Sequence, residues 1–149
     1  MNFYRRFWDR KKIERSTTVY PSSKIISKVH DTFKNIKLLN LDSKTRVPTR
    51  DAFNNILRGD LIDEVKYQSN YFDCDKYALW FKSIAALHYR VNAIGFVISY
   101  SDKHAFNIVI VKEENGLKVL KLEPQNDKLW EPKENVKDNY QVEGEIILL

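Results

Sequence analysis

Hydrophobic positions recur at helical spacing in the first part of the chain and as near-continuous runs in the second. Ser22-Ser23 is placed to cap a helix, and Ile25, Ile26, Val29, Phe33 and Ile36 then share one face. That pattern predicts an amphipathic helix of about four turns. Asp42 to Arg50 is polar, contains Pro48 and reads as a loop. Asp51 is placed to cap a second, short helix through Leu57 that ends near Gly59. Residues 60–72 carry no decisive pattern. A third helix is predicted from near Asp73, with Cys74, Ala78, Phe81, Ala85 and His88 on one face and Tyr77 and Ile84 beside them.

The period changes after Asn92. Ile94 to Tyr100 is an apolar run of the kind a buried strand shows, and Ser101-Asp102-Lys103 reads as a turn. His104 to Val111 predicts a second strand, Asn115-Gly116 a hairpin, and Leu117 to Leu122 a third strand stopped by Pro124. Glu145 to Leu149 predicts a terminal strand. Helices followed by an antiparallel meander define an α+β layout.

Composition narrows the class. With 43% hydrophobic and 13% aromatic residues the chain is neither disordered nor collagen-like. Its 149 residues suit one domain over 1–149. A single cysteine rules out an internal disulfide or a multi-cysteine zinc centre. No apolar run approaches the roughly 20 residues of a membrane-spanning helix, so no membrane partner is expected. No secretory leader is visible, and the expected location is the cytoplasm.

Charge is unevenly spread: residues 1–50 carry 13 Lys/Arg against 4 Asp/Glu, and residues 51–149 carry 12 against 16. Residues 1–20 read as a basic arm. There Arg5, Arg6, Arg10, Lys11 and Lys12 alternate with Tyr4, Phe7 and Trp8, a composition suited to phosphates and unstacked bases. One expectation is therefore a catalytically silent scaffold that binds nucleic acid, or regulates, through this part. The bland reading is a solvated terminus.

Three residues further on carry candidate chemistry. Cys74 sits at a predicted helix start, where outward N–H groups favour a thiolate. Asp73 and Asp75 push the other way. His104 opens a predicted strand and Glu123 ends its partner. Depending on the loop at Asn115-Gly116, His104 faces somewhere between Pro124 and Asp127, which puts Glu123 and Gln125 within a residue or two of it. A thiol on a helix, an imidazole that takes its proton and a carboxylate that orients the imidazole make up the papain-like plan. No paired spacing such as His-x-x-x-His supports a metal site, and His30 and His88 fall within helical patterns as packing or surface residues.

Phe72-Asp73-Cys74-Asp75-Lys76-Tyr77-Ala78, Ile94-Gly95-Phe96-Val97, His104-Ala105-Phe106-Asn107 and Leu122-Glu123-Pro124-Gln125 together resemble a known family over residues 71–127. It is the papain-like domain at the C-terminus of a mushroom ricin-type agglutinin, with related small viral and bacterial proteins. The resemblance implies a papain-like (transglutaminase-like) core, N-terminal helices packed on an antiparallel β-meander. It implies a cysteine hydrolase, a peptidase, isopeptidase or acyl transferase, acting on a peptide or protein substrate. By resemblance Cys74 is the nucleophile, His104 the base and Glu123 the orienting acid, with Asn107 and Gln125 at recurrent polar positions. Gln68, six residues before Cys74, stands where papain-like enzymes place an oxyanion donor, with Asn70 as competitor. The agglutinin's activity depends on calcium, so calcium enters as a cofactor by resemblance alone; the sequence itself requires none. A viral source would place the protein in the host-cell cytoplasm. The lectin β-trefoil has no counterpart here, so the resemblance implies no carbohydrate binding, and residues 1–70 match no known family.

Overall fold

The computed structural model describes residues 10–133, 140–142 and 145–149. After a helical segment over residues 10–15 the order is β1 (Thr17–Pro21), α1 (Ser22–Thr32), β2 (Lys37–Leu39), β3 (Lys44–Pro48), α2 (Arg50–Asp60) and α3 (Cys74–Tyr89). Then come β4 (Ile94–Ser99), β5 (His104–Glu113), β6 (Gly116–Glu123), β7 (Lys128–Trp130) and β8 (Ile146–Leu148). Six strands form one sheet in the order β2-β8-β4-β5-β6-β7, and β1 pairs with β3 in a small second sheet. Every pairing is antiparallel except β2 with β8. The mixed α+β class expected from the sequence is present.

β5 explains why the sheet needs cover on both sides. Ala105 through Val111 are all buried, so neither face of this strand meets water. α3 packs on β4 and β5, and α1 packs against β6. α3 turns Tyr77, Ala78, Phe81, Ala85 and Tyr89 inward. His88, placed on that face by spacing, is exposed, and Tyr89 takes the inner position. Gly95 marks a close approach within the sheet. A Cβ there would lie 2.7 Å from Ile108 Cγ1 and 2.9 Å from Ile147 Cγ2, closer than carbon atoms tolerate.

Several local expectations are corrected. Ser22 does not cap α1; it lies inside the helix, and its hydroxyl reaches Thr45 Oγ1 at 2.7 Å, fastening the helix to β3. α1 stops at Thr32 rather than running to Ile36, because Phe33 is extended and Asn35 turns the chain at φ 54°. The expected loop from Asp42 contains β3, with Thr45 and Val47 buried against β1. The cap of α2 is Thr49, whose Oγ1 accepts from Ala52 N at 3.2 Å, and Asp51 falls in the first turn. The hairpin turn is Glu114-Asn115, with Glu113 opposite Gly116 at φ +115°, a conformation that suits glycine. Residues 10–21 do not form a loose arm: Ile13 is buried in the core, and Thr49 N donates to Ser16 O at 2.9 Å.

Candidate functional site

The β5–β6 register sets the first group of side chains. Asn107 lies opposite Leu122. One step further puts Glu123 opposite Phe106, so His104 and Glu123 are diagonal neighbours on one face. His104 Nε2 and Glu123 Oε2 are 2.7 Å apart. Glu123 is only 3% exposed, and its other oxygen accepts from Gln125 N at 3.1 Å, so the carboxylate is held from both sides. His104 is half-buried beside rings. It stacks near Phe106 and meets Tyr140 edge-on at 5.2 Å, and Tyr140 in turn lies 4.7 Å from Trp130. This end of the sheet therefore offers a fixed imidazole set in an aromatic wall.

The other residues singled out in the sequence are placed differently. Cys74 opens α3 and is partly buried. Among the described residues it forms no hydrogen bond to His104, whose Nε2 is engaged by Glu123. Lys76 closes over the helix start, with Nζ 3.0 Å from both Asp73 Oδ1 and Asp75 Oδ1, and the Asp73 pKa is lowered first by a side-chain hydrogen bond with Asp75 and then by the one from Lys76. Gln68 belongs to a tight turn before α3. Its N–H donates to Phe72 O at 2.8 Å and its carbonyl accepts from Phe72 N at 2.7 Å, with Asn70 at φ 64°. Asn107 is fully buried and works as a clamp: Nδ2 donates to Ala78 O at 3.0 Å and to Gly95 O at 3.2 Å, tying α3 to β4. Arg5 and Arg6 lie outside the described residues. Arg10 pairs with Glu14 at 3.4 Å, and Lys12 borders a groove with Arg58. Lys11 lies on the same helical segment.

A second group lies where α2 ends. Ligand atoms of Asp60, Asp63 and Asp127 all fall within 4.8 Å of one another. Burial pushes the Asp60 carboxyl up to about 7 and that of Asp127 up to about 6, with neighbouring carboxylates adding to both. Nothing in the sequence pattern signals this group. Asp60 sits in a segment without clear periodicity, and Asp127 lies far along the chain in a polar stretch.

No protein-family model matches the sequence, and no curated protein does. Solved structures do. The chain is similar to the structure of the PSL1a-E64 complex, with a TM-score of 0.68 and 21% identity, over 88% of this chain and 51% of that one. It is also similar to Polyporus squamosus lectin bound to the human-type influenza-binding epitope Neu5Aca2-6Galb1-4GlcNAc, with a TM-score of 0.57 and 18% identity, over 76% of this chain and 45% of that one. The chain thus spans about half the length of these chains of a mushroom lectin, and at this identity the likeness is one of fold. The finding corrects the expectation of a cysteine peptidase-like hydrolase working through a catalytic triad: the matched structures are those of a lectin. A peptide substrate and nucleic acid find no support in them either. Among the described residues no helix is long and apolar enough to cross a membrane.

Proposed function

We propose that this chain is a carbohydrate-binding module on a papain-like α+β scaffold, its ligand held at the end of the sheet where β5 begins and β6 ends. The observation that carries this reading is the His104–Glu123 pair at 2.7 Å inside the wall of Phe106, Tyr140 and Trp130. Sugars present two chemistries at once. Their hydroxyls need fixed donors and acceptors, and their C–H faces pack on aromatic rings. Glu123, gripped by Gln125 N, locks the imidazole through Nε2, so that Nδ1 is the ring nitrogen a ligand would use. The likeness in fold to a lectin supports the same reading. In this reading Cys74 has no covalent role, Gln68 shapes the turn before α3, and Asn107 holds the scaffold.

The test is titration calorimetry with the sialylated trisaccharide Neu5Aca2-6Galb1-4GlcNAc, followed by a glycan array. Binding that weakens about tenfold or more in His104→Ala and Trp130→Ala, with unchanged circular dichroism, is the expected result. No binding to any glycan overturns the reading. So does turnover of a peptide substrate that Cys74→Ala abolishes.

A further inference from the structure

We infer that Asp102 and Lys121 are positioning residues of the saccharide site: they pin one peptide group from both ends and so hold the ring of Tyr140 against His104. The inference deepens the saccharide reading and rests on it.

Tyr140 is the part of the aromatic wall that the sheet does not supply. Phe106 belongs to β5 with His104, and Trp130 belongs to β7, so ladder pairing fixes their backbones. Tyr140 lies in no strand. It nevertheless meets all three rings nearly edge-on, His104 and Phe106 at 5.2 Å and Trp130 at 4.7 Å between centroids. Edge-to-face packing orients a ring but does not fix the backbone that carries it.

Two side chains do. Lys121 comes two residues before Glu123 and lies opposite Trp130 in the β6–β7 ladder, so it shares their face of the sheet. It is only 7% exposed, and its Nζ donates to Tyr140 O at 2.7 Å. Asp102 stands in the turn two residues before His104, and its Oδ2 accepts from Gln141 N at 2.7 Å. Tyr140 O and Gln141 N belong to one peptide group. Such a group is planar, and in its trans form the C=O and N–H point in opposite directions. An ammonium on one end and a carboxylate on the other therefore fix the tilt of the plane, and with it the direction in which the Tyr140 side chain leaves the backbone. Both bonds are charge-assisted, the stronger kind. Val142, buried in the core, stops the segment from sliding.

The Asp102 pin is itself anchored. Ser99 Oγ donates to Asp102 Oδ2 at 3.0 Å. Buried Glu145 accepts from Tyr100 N at 2.9 Å and from Ser101 Oγ at 3.0 Å, which holds the turn that carries Asp102. The strand ends that present the imidazole and its carboxylate thus also hold the ring beside them. A sugar meets a surface already shaped, with no loop to order on binding.

The experiment uses the whole chain and first reads His104 without ligand. Its imidazole ring protons, followed by NMR, feel the ring current of Tyr140, and Tyr140→Ala marks where they fall when that ring is absent. Asp102→Ala and Lys121→Met should each move the signals most of the way to that position. Asp102→Asn keeps an oxygen that can accept from Gln141 N and should restore them. Calorimetry with Neu5Aca2-6Galb1-4GlcNAc should show affinity falling about tenfold in Asp102→Ala and recovering in Asp102→Asn. Lys121→Met keeps the buried stem, so it carries the test if Asp102→Ala loses its fold by circular dichroism. Unmoved His104 signals overturn the pins. Signals that move while affinity stays unchanged overturn their part in binding. A parent chain that binds no glycan overturns the saccharide reading and the binding role with it, and the spectra still decide whether these residues hold Tyr140.

Discussion

Glu123 and Asp60 are both buried carboxylates, and the protein surrounds them in opposite ways. Glu123 takes a hydrogen bond on each oxygen, from His104 and from the Gln125 backbone. Asp60 takes one on Oδ1 from Ile62 N and leaves Oδ2 bare beside another buried, bare oxygen. A single turn, residues 124–127, joins the two neighbourhoods, because it starts after Glu123 and ends on Asp127. The contrast separates two uses of a buried charge. Where the fold supplies every partner, the group positions something; where it withholds one, burial raises the pKa, to about 7 for Asp60, and the proton neutralises the charge.

The comparison breaks most visibly at Glu123. Glu123→Ala strands the imidazole and the Gln125 N–H, and should cost about 2–4 kcal/mol of stability in urea unfolding. A loss below about 0.5 kcal/mol would mean that the paired end is no better held than the surface. Asp60→Asn should move the other way. At pH 8, above the raised pKa of Asp60, it removes an unpaired buried charge and should raise stability by about 1–2 kcal/mol, measured by the same unfolding curves. Loss of stability there would show that the fold already satisfies Asp60. The smallest change comes at the opposite end of the same helix. Thr49→Ala deletes the cap on Ala52 N and should cost about 1 kcal/mol by thermal unfolding. A loss below about 0.3 kcal/mol would mean that the start of α2 is held by its packing rather than by this cap.

The central elements were legible in the sequence because local pattern and tertiary placement agree there. Asp73 precedes a helix, and the apolar run from Ile94 and the hairpin signal at Asn115-Gly116 become β4, β5 and β6. The register argument put His104 opposite some residue from Pro124 to Asp127; the observed pairing, with Asn107 opposite Leu122, falls inside that range and brings Glu123 into reach. Elsewhere the signal is weak for physical reasons. β1 and β3 are short, polar and end in proline, so their pairing depends on contacts across the chain rather than on alternation. β7 has three residues. Ile36 continues the helical spacing of α1 only by coincidence, since Asn35 has already turned the backbone. Asp127 lies 64 residues beyond Asp63, and no local spacing can announce a group of carboxylates that only tertiary folding assembles. The hydrolase expectation shows the other limit: a pairing of imidazole and carboxylate can be read from register, but what the pair is used for cannot.

The placement of β8 has a consequence for how the protein is made. It lies between β2 and β4, parallel to the first and antiparallel to the second, and among the described residues it joins them in the sheet. Both neighbours leave the ribosome long before it does. Until it arrives, one edge of β4 carries unpaired backbone groups next to the apolar run that becomes the core, and β2 has no strand to join. The nascent chain therefore passes through a stage in which the hairpin is formed but the sheet is open on one side, the stage at which chaperone capture or aggregation competes with folding.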